Sequence, residues 1–197
     1  VHPLLREALR RTGIDSGRAL DLGAGAHGES RFLAARGFSV DAVDQDPIAV
    51  RLGRSAALPG LTVHQRDVRD FPIRADTYDV VVALHVLPFL PGADLPAVAS
   101  AIVAGLRPGG VLCVTLFGPR DSWVTGPEPV TGTTEREAAA LFPGMQPLHH
   151  VEREHDGPDA EGTPKHWHVL GQVLRRPGPQ SRGRPTDRLM VPGRSAR

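Results

Sequence analysis

Three aspartates, Asp21, Asp44 and Asp67, each close or follow an apolar run of strand character, at residues 18–22, 38–43 and 61–65. Between the first of them and the next helical segment lies Gly23-Ala24-Gly25-Ala26-His27-Gly28, a Gly-x-Gly-x-x-Gly loop. Glycines allow a tight turn and let the backbone approach a ligand, while N–H groups at the start of the following helix are free to bind. The loop alone suits a dinucleotide, another nucleoside or a purely structural turn. The aspartates narrow the choice. A carboxylate at Asp44 can take two hydrogen bonds from ribose hydroxyls. One at Asp67 can accept from the exocyclic amine of adenine. Asp21, directly before the glycines, repels a pyrophosphate but accepts from an ammonium. The row suits an adenosine that carries an α-amino group and no phosphate, held along the carboxyl edge of a sheet.

Such a row needs parallel strands that present their carboxyl ends together. Leu4, Leu5, Ala8 and Leu9 recur at helical spacing, and Gly13 ends that helix. Residues 29–36 read as a helix with Phe32 and Leu33 inward and Gly37 as its cap. Pro47 opens a helix carrying Ile48, Val50 and Leu52. Residues 78–84 are an unbroken apolar run, as in a strand covered on both faces. Residues 95–106 read as a helix that ends in Arg107-Pro108-Gly109-Gly110, and residues 111–117 as another buried strand containing Cys113. A short helix at 135–141 and two late strands at 151–154 and 167–174 complete the pattern. The late strands have little helix between them, so they pair antiparallel. The expectation is an α/β fold: a doubly wound, mostly parallel seven-stranded Rossmann-like sheet with an antiparallel C-terminal strand. One domain is expected over residues 1–176. Residues 177–197, rich in Pro, Gly, Ser and Arg, read as a disordered tail.

In order and spacing, the segments ALDLGAGAHGESRFLAARGFSVDAVD, RDVRDFP, YDVVVALHVLPFL and LRPGGVL resemble the class I S-adenosylmethionine-dependent methyltransferases. The resemblance is strongest to their small single-domain tellurite-resistance and thiopurine-type branch. It implies S-adenosylmethionine as cofactor, with Asp21, Gly23, Ala24 and Gly25 around the methionine moiety. It places Asp44 and Gln45 at the ribose, and Asp67 and Val68 at the adenine. Leu84 and His85 would lie where the fourth strand opens onto the transfer site. One position departs from the family's Asp-x-Gly-x-Gly-x-Gly: His27 stands where a third glycine is usual. Its side chain crowds the loop unless it turns to solvent or joins the site.

Methyl transfer from a sulfonium is chiefly a matter of positioning and desolvation. A base is needed only where the acceptor must lose a proton. His85, His166 and His168 are the candidates for catalysis, with Arg120 and Trp123 as candidates for holding a small-molecule acceptor through charge and stacking. His166 and His168 share one strand face, but no third ligand accompanies them and no metal is expected. The lone Cys113 forms neither a disulfide nor a zinc site. The net charge is +1 and the arginines cluster near the C-terminus, so nucleic acid is not an expected partner. No run approaches a membrane span, and the start lacks the apolar core of a signal peptide. The expected protein is cytoplasmic, a monomer or homodimer, acting in detoxification or secondary-metabolite tailoring. Two other readings stay open. A nicotinamide-dependent oxidoreductase shares the glycine loop but not the acids at Asp21 and Asp67. A non-catalytic S-adenosylmethionine-binding protein of the same fold is kept in view by His27.

Overall fold

The computed structural model describes residues 1–127 and 129–178. Its elements in chain order are α1 (Pro3–Thr12), β1 (Gly17–Leu22), α2 (Gly28–Ala34), β2 (Phe38–Asp44), α3 (Pro47–Ser55), β3 (Leu61–Gln65) and β4 (Tyr78–Ala83). A 3-10 turn (Leu87–Phe89) follows, then α4 (Leu95–Gly105), β5 (Leu106–Phe117), α5 (Ser122–Thr125), α6 (Glu135–Leu141), β6 (Gln146–Pro158) and β7 (Pro164–Arg175).

Seven strands form one sheet in the order β3-β2-β1-β4-β5-β7-β6. The pairs within β3-β2-β1-β4-β5 are all parallel. β7 alone is reversed, running antiparallel to both β5 and β6. This is the expected doubly wound sheet with an antiparallel C-terminal strand. Strand order reverses between β1 and β4: β2 and β3 extend to one side, β5, β7 and β6 to the other. Asp21 pairs with Ala42 on one side and Val82 on the other, so the three strand ends are level at that point.

Side chains alternate across each strand and feed two cores. Leu20, Leu22, Val81, Ala83, Leu112 and Val114 pack with α4 and α6. Ala19, Val80, Val82, Val111 and Cys113 pack with α1 and α2. Cys113 is fully buried, and desolvation pushes its thiol pKa well up, as befits a core residue. α1 is closed at both ends. The His2 ring accepts from Leu4 N–H, and Gly13, in the left-handed region at φ 68°, donates to Leu9.

Several boundaries differ from the sequence pattern. Arg107-Pro108-Gly109-Gly110 does not merely end α4; it is already the first part of β5. Gly110 is needed there, because a Cβ would sit 3.0 Å from the carbonyl oxygens of Arg107 and Tyr78. The two late strands are longer than the expected 151–154 and 167–174, because a hairpin with one solvent face is polar along much of its length. In α3 the buried residues are Ala49, Val50 and Gly53, while Ile48 and Leu52 point outward. Phe32 is only half-buried and stacks beneath the guanidinium groups of Arg6 and Arg36. Among the described residues, no helix is long and apolar enough to cross a membrane. The expected tail lies, from residue 179 onward, outside the described residues.

Candidate functional site

A cavity of about 490 Å³ opens at the carboxyl ends of β1, β2, β3 and β4. Its wall brings together Gly23, Asp44, Gln45, Asp67 and Val68 of the sequence-derived set, along with His85. It adds Arg69, Val86, Phe89, Leu90, Pro91 and Pro129. The crevice thus lies at the reversal of strand order, where open α/β sheets bind ligands. Leu84 is half-buried and packs into the core beneath, so His85 takes the place on the wall. Ala24 and Gly25 lie within the loop without lining the cavity.

The loop is built from backbone bonds. Gly23 and Ala24 donate to the Val43 carbonyl, and Gly25 donates to Asp44 Oδ2 at 2.7 Å. Asp44 Oδ1 accepts from Asp46 N–H at 2.9 Å, so this carboxylate supports the loop and faces the cavity at once. Gly23 has φ 68°, and a Cβ there would meet Val86 at 2.6 Å. Both conformation and space therefore require glycine. Asp67 is held by Arg69 at 2.7 Å, and this pairing lowers its pKa. Arg69 also reaches Asp94 across 3.2 Å.

His27 takes the left-handed conformation that a glycine would supply, at φ 58°. Its ring turns neither to solvent nor into the cavity. It is fully buried beneath α3, where Nε2 lies 2.9 Å from the Ala49 carbonyl. Room exists because residue 53 is glycine: a Cβ on Gly53 would come within 2.4 Å of the ring. The pairing of His27 with Gly53 explains how the loop tolerates a side chain at this point.

Asp21 is 3% exposed and lies under the loop, with Ser30 Oγ donating to it at 2.5 Å. Burial pushes its pKa up to about 7, and the hydroxyl offsets this only in part. No cation pairs with it among the described residues.

Beyond β4 and β5 the site becomes aromatic. His85, in the left-handed region at φ 52°, is held by its N–H donating to Thr115 Oγ1 at 2.7 Å. A non-glycine residue in that region stores strain and is typical of sites with a task. Its ring is flanked by His2, Phe117 and Trp167, with centroids 5.8, 6.1 and 6.3 Å away; the residue is exposed to solvent on its free side, and desolvation by these neighbours lowers its pKa. Phe89, Phe117, Trp123 and Trp167 form a cluster with centroids 5.5–5.9 Å apart. Beneath it the buried Lys165 ammonium lies 5.1, 4.4 and 4.3 Å from the rings of Phe117, Trp123 and Trp167. Its charge is met by Asp121, equally buried, which also accepts from Trp123 N–H and His168 N–H.

The other candidates are engaged with the β6–β7 hairpin. The Arg120 guanidinium bonds Glu154 at 2.6 Å and Glu152 at 3.0 Å, so it is not free to meet an acceptor's carboxylate. His168 is buried with Nε2 2.7 Å from Glu152. His166 sits between Asp156 and Glu154, and both carboxylates raise its pKa, Asp156 the more. Glu152, Glu154 and His168 place possible ligand atoms within 4.8 Å of one another, but the Arg120 guanidinium already bonds both carboxylates. Arg69 and Phe89 were within reach of sequence reasoning, since both belong to the segments that carried the resemblance. The Lys165–Asp121 pair, separated by 44 positions, left no local signal.

Two outcomes test this description. Asp21, whose folded-state pKa is raised, contributes stability that is full below its unfolded value of 3.8 and lost as pH rises through about 7. Asp21→Asn should therefore raise the melting temperature at pH 8 relative to the parent and leave it little changed at pH 4. Equal shifts at both would contradict a desolvated carboxylate. Lys165→Met leaves Asp121 buried without its cation and should cost about 3–5 kcal/mol in urea unfolding. A loss below about 1 kcal/mol would show that the pair is not isolated from water.

Residues 19–110 match the family described as "Methyltransferase domain". The Hemagglutinin 1 of Eikenella corrodens is 30% identical over 121 residues, which is 56% of this chain and 37% of that protein. The ribosomal RNA small subunit methyltransferase H of Deinococcus radiodurans is 50% identical over 46 residues, 23% of this chain and 15% of that protein. The chain thus spans well under half the length of these curated relatives. A solved S-adenosylmethionine-dependent methyltransferase from Methanosarcina mazei aligns with a TM-score of 0.72 at 18% identity, covering 91% of this chain and 99% of that one. The 1,6-didemethyltoxoflavin-N1-methyltransferase of Burkholderia thailandensis was solved with 1,6-didemethyltoxoflavin and S-adenosylhomocysteine bound. It aligns with a TM-score of 0.68 at 20% identity, covering 89% and 77%. With its strand order and its glycine loop at the reversal, the chain has the fold of the class I S-adenosylmethionine-dependent methyltransferases.

Proposed function

We propose that the protein is an S-adenosylmethionine-dependent methyltransferase acting on a small-molecule acceptor. The observation that carries the reading is the wall shared by Gly23, Asp44, Gln45, Asp67 and Val68 around one cavity. The residues fit the cofactor. Gly23 leaves space that a Cβ would fill, Asp44 and Asp67 offer carboxylates for a ribose and an adenine amine, and Asp21 is a buried carboxylate without a cation among the described residues. When bound, S-adenosylmethionine supplies an electrophilic methyl group and leaves as a neutral thioether. His85 takes the acceptor's proton as its heteroatom gains the methyl, so charge balances at both ends of the transfer. A nicotinamide cofactor fits less well, because its pyrophosphate would lie over Asp21. His27 does not argue for a disabled loop, since its ring is turned away beneath α3. A place in the tellurite-resistance and thiopurine-type branch, with a cytoplasmic role in detoxification or metabolite tailoring, belongs to the same proposal.

Calorimetric titration with S-adenosylhomocysteine should give tight binding, while NADH run in parallel should give none. The reverse pattern would overturn the cofactor assignment. Asp44→Ala should weaken S-adenosylhomocysteine binding by about 1–3 kcal/mol, through loss of charge-assisted bonds to the ribose and of the support given to Gly25. Unchanged affinity would remove Asp44 from the ribose site.

His85 gives a pH prediction once an acceptor is in hand. Besides burial, the groups acting on it are His2, which lowers its pKa, and Glu29 and Asp121, which raise it; the net effect is downward. The imidazole is thus unprotonated and able to accept at neutral pH. kcat/KM should rise with pH through a point below the ordinary histidine value and level off above it. His85→Gln should lower kcat by about 10²-fold or more and abolish that limb of the profile. A limb that persists in the variant would assign the base elsewhere.

A further inference from the structure

Resting on the methyltransferase reading, we propose that the acceptor is an uncharged planar aromatic or heteroaromatic molecule, seated against Phe89, Trp123 and Trp167 with its O–H or N–H toward His85. The wall and the cofactor cavity are continuous, because His85 and Phe89 belong to both. Phe117, fully buried, packs behind these rings and backs the wall without reaching its surface. Trp123 and Trp167 are half-buried beside it, and Phe89 stands 48% exposed at the rim. An exposed phenylalanine, fixed on a 3-10 turn at the mouth of a cavity, is a surface available for stacking. Neighbouring rings meet at 58–81°, so a flat guest can lie on one ring while meeting the edge of the next.

Charge decides what kind of guest fits. The cations of this wall and of the adjoining cavity are already paired: Arg120 with Glu152 and Glu154, Lys165 with Asp121, and Arg69 with Asp67 and Asp94. An anionic acceptor finds no free cation among the described residues of the wall, and would lose its hydration without return. A cationic acceptor finds the inner faces of Phe117, Trp123 and Trp167 taken by the chain's own ammonium. To displace Lys165 it would have to break a buried ion pair. What remains is neutral aromatic surface with one polar group, His85, at its edge.

The test uses the full chain saturated with S-adenosylhomocysteine, titrated calorimetrically with 1-naphthol, decahydro-1-naphthol, 1-naphthoate and 1-naphthylmethylammonium. 1-Naphthol should bind at least about tenfold more tightly than each of the others, a difference of about 1.4 kcal/mol. Phe89→Ala should lower its affinity by a similar factor, with Phe89→Tyr restoring it and all three proteins melting alike. Binding of the naphthoate, the ammonium or the saturated alcohol as tightly as 1-naphthol would overturn the proposal. So would the absence of 1-naphthol binding, or indifference to Phe89→Ala. Failure of S-adenosylhomocysteine itself to bind would instead sink the cofactor reading, and the saturation step registers this separately.

Discussion

The reversal of strand order between β1 and β4 is the constraint on which the site depends. Chains leaving the carboxyl ends of those strands diverge to opposite faces, and the gap between them is the crevice. Residues from both sides meet across it. Val86, just after β4, comes so close to Gly23, just after β1, that no side chain is possible there. Asp44, at the end of β2, reaches back to hold Gly25. The acid best placed to bind a ribose is therefore also part of the frame that shapes the loop. Changing it disturbs both functions, which is why its role must be read from affinity and not from stability alone.

Much of this was legible in the amino-acid pattern because parallel sheets leave strong local marks. Tyr78-Asp-Val-Val-Val-Ala-Leu84 has no solvent face to alternate with, so its apolar run nearly coincides with β4. The extents of β3 and α6 were also read to the residue, where Pro59-Gly60 and Thr134 mark the boundaries. The hairpin of β6 and β7 was harder. Its exposed stretch carries Glu152, Glu154, Asp156 and His166, with the buried His168 beside them, and this polarity resembles loop composition until cross-strand pairing explains it. Arg107-Pro108-Gly109-Gly110 reads as a helix stop and nothing more, since only the neighbouring backbone shows that it begins a strand.

The site divides along the same line. Residues at strand ends, such as Asp44 and Asp67, can be placed by counting. His27 could not be placed, because its orientation depends on a missing Cβ at Gly53 in another helix. Arg120 shows the opposite failure. Its position after β5 is as expected, but its partners lie 32 and 34 positions away, and they decide that it is a tether and not a ligand. Sequence spacing reports where a side chain starts; the charge it faces is a long-range property.

The distribution of charge gives the two halves of the site different characters. Under the glycine loop a buried carboxylate has no cation among the described residues, an arrangement that is unfavourable alone and would improve on arrival of an ammonium. Under the aromatic wall the opposite holds, for Lys165 and Asp121 cancel one another and leave no net charge to be matched by a guest. His85 lies at the seam between these halves, on a strained backbone fixed by Thr115. A neutral imidazole there can take a proton without a prior ion pair to break. In the proposed function it would become charged only as a bound sulfonium became neutral, so positive charge would move across the seam without net creation. Such an exchange would avoid separating new charge beside the desolvated rings of Phe117 and Trp167, where it is most unfavourable.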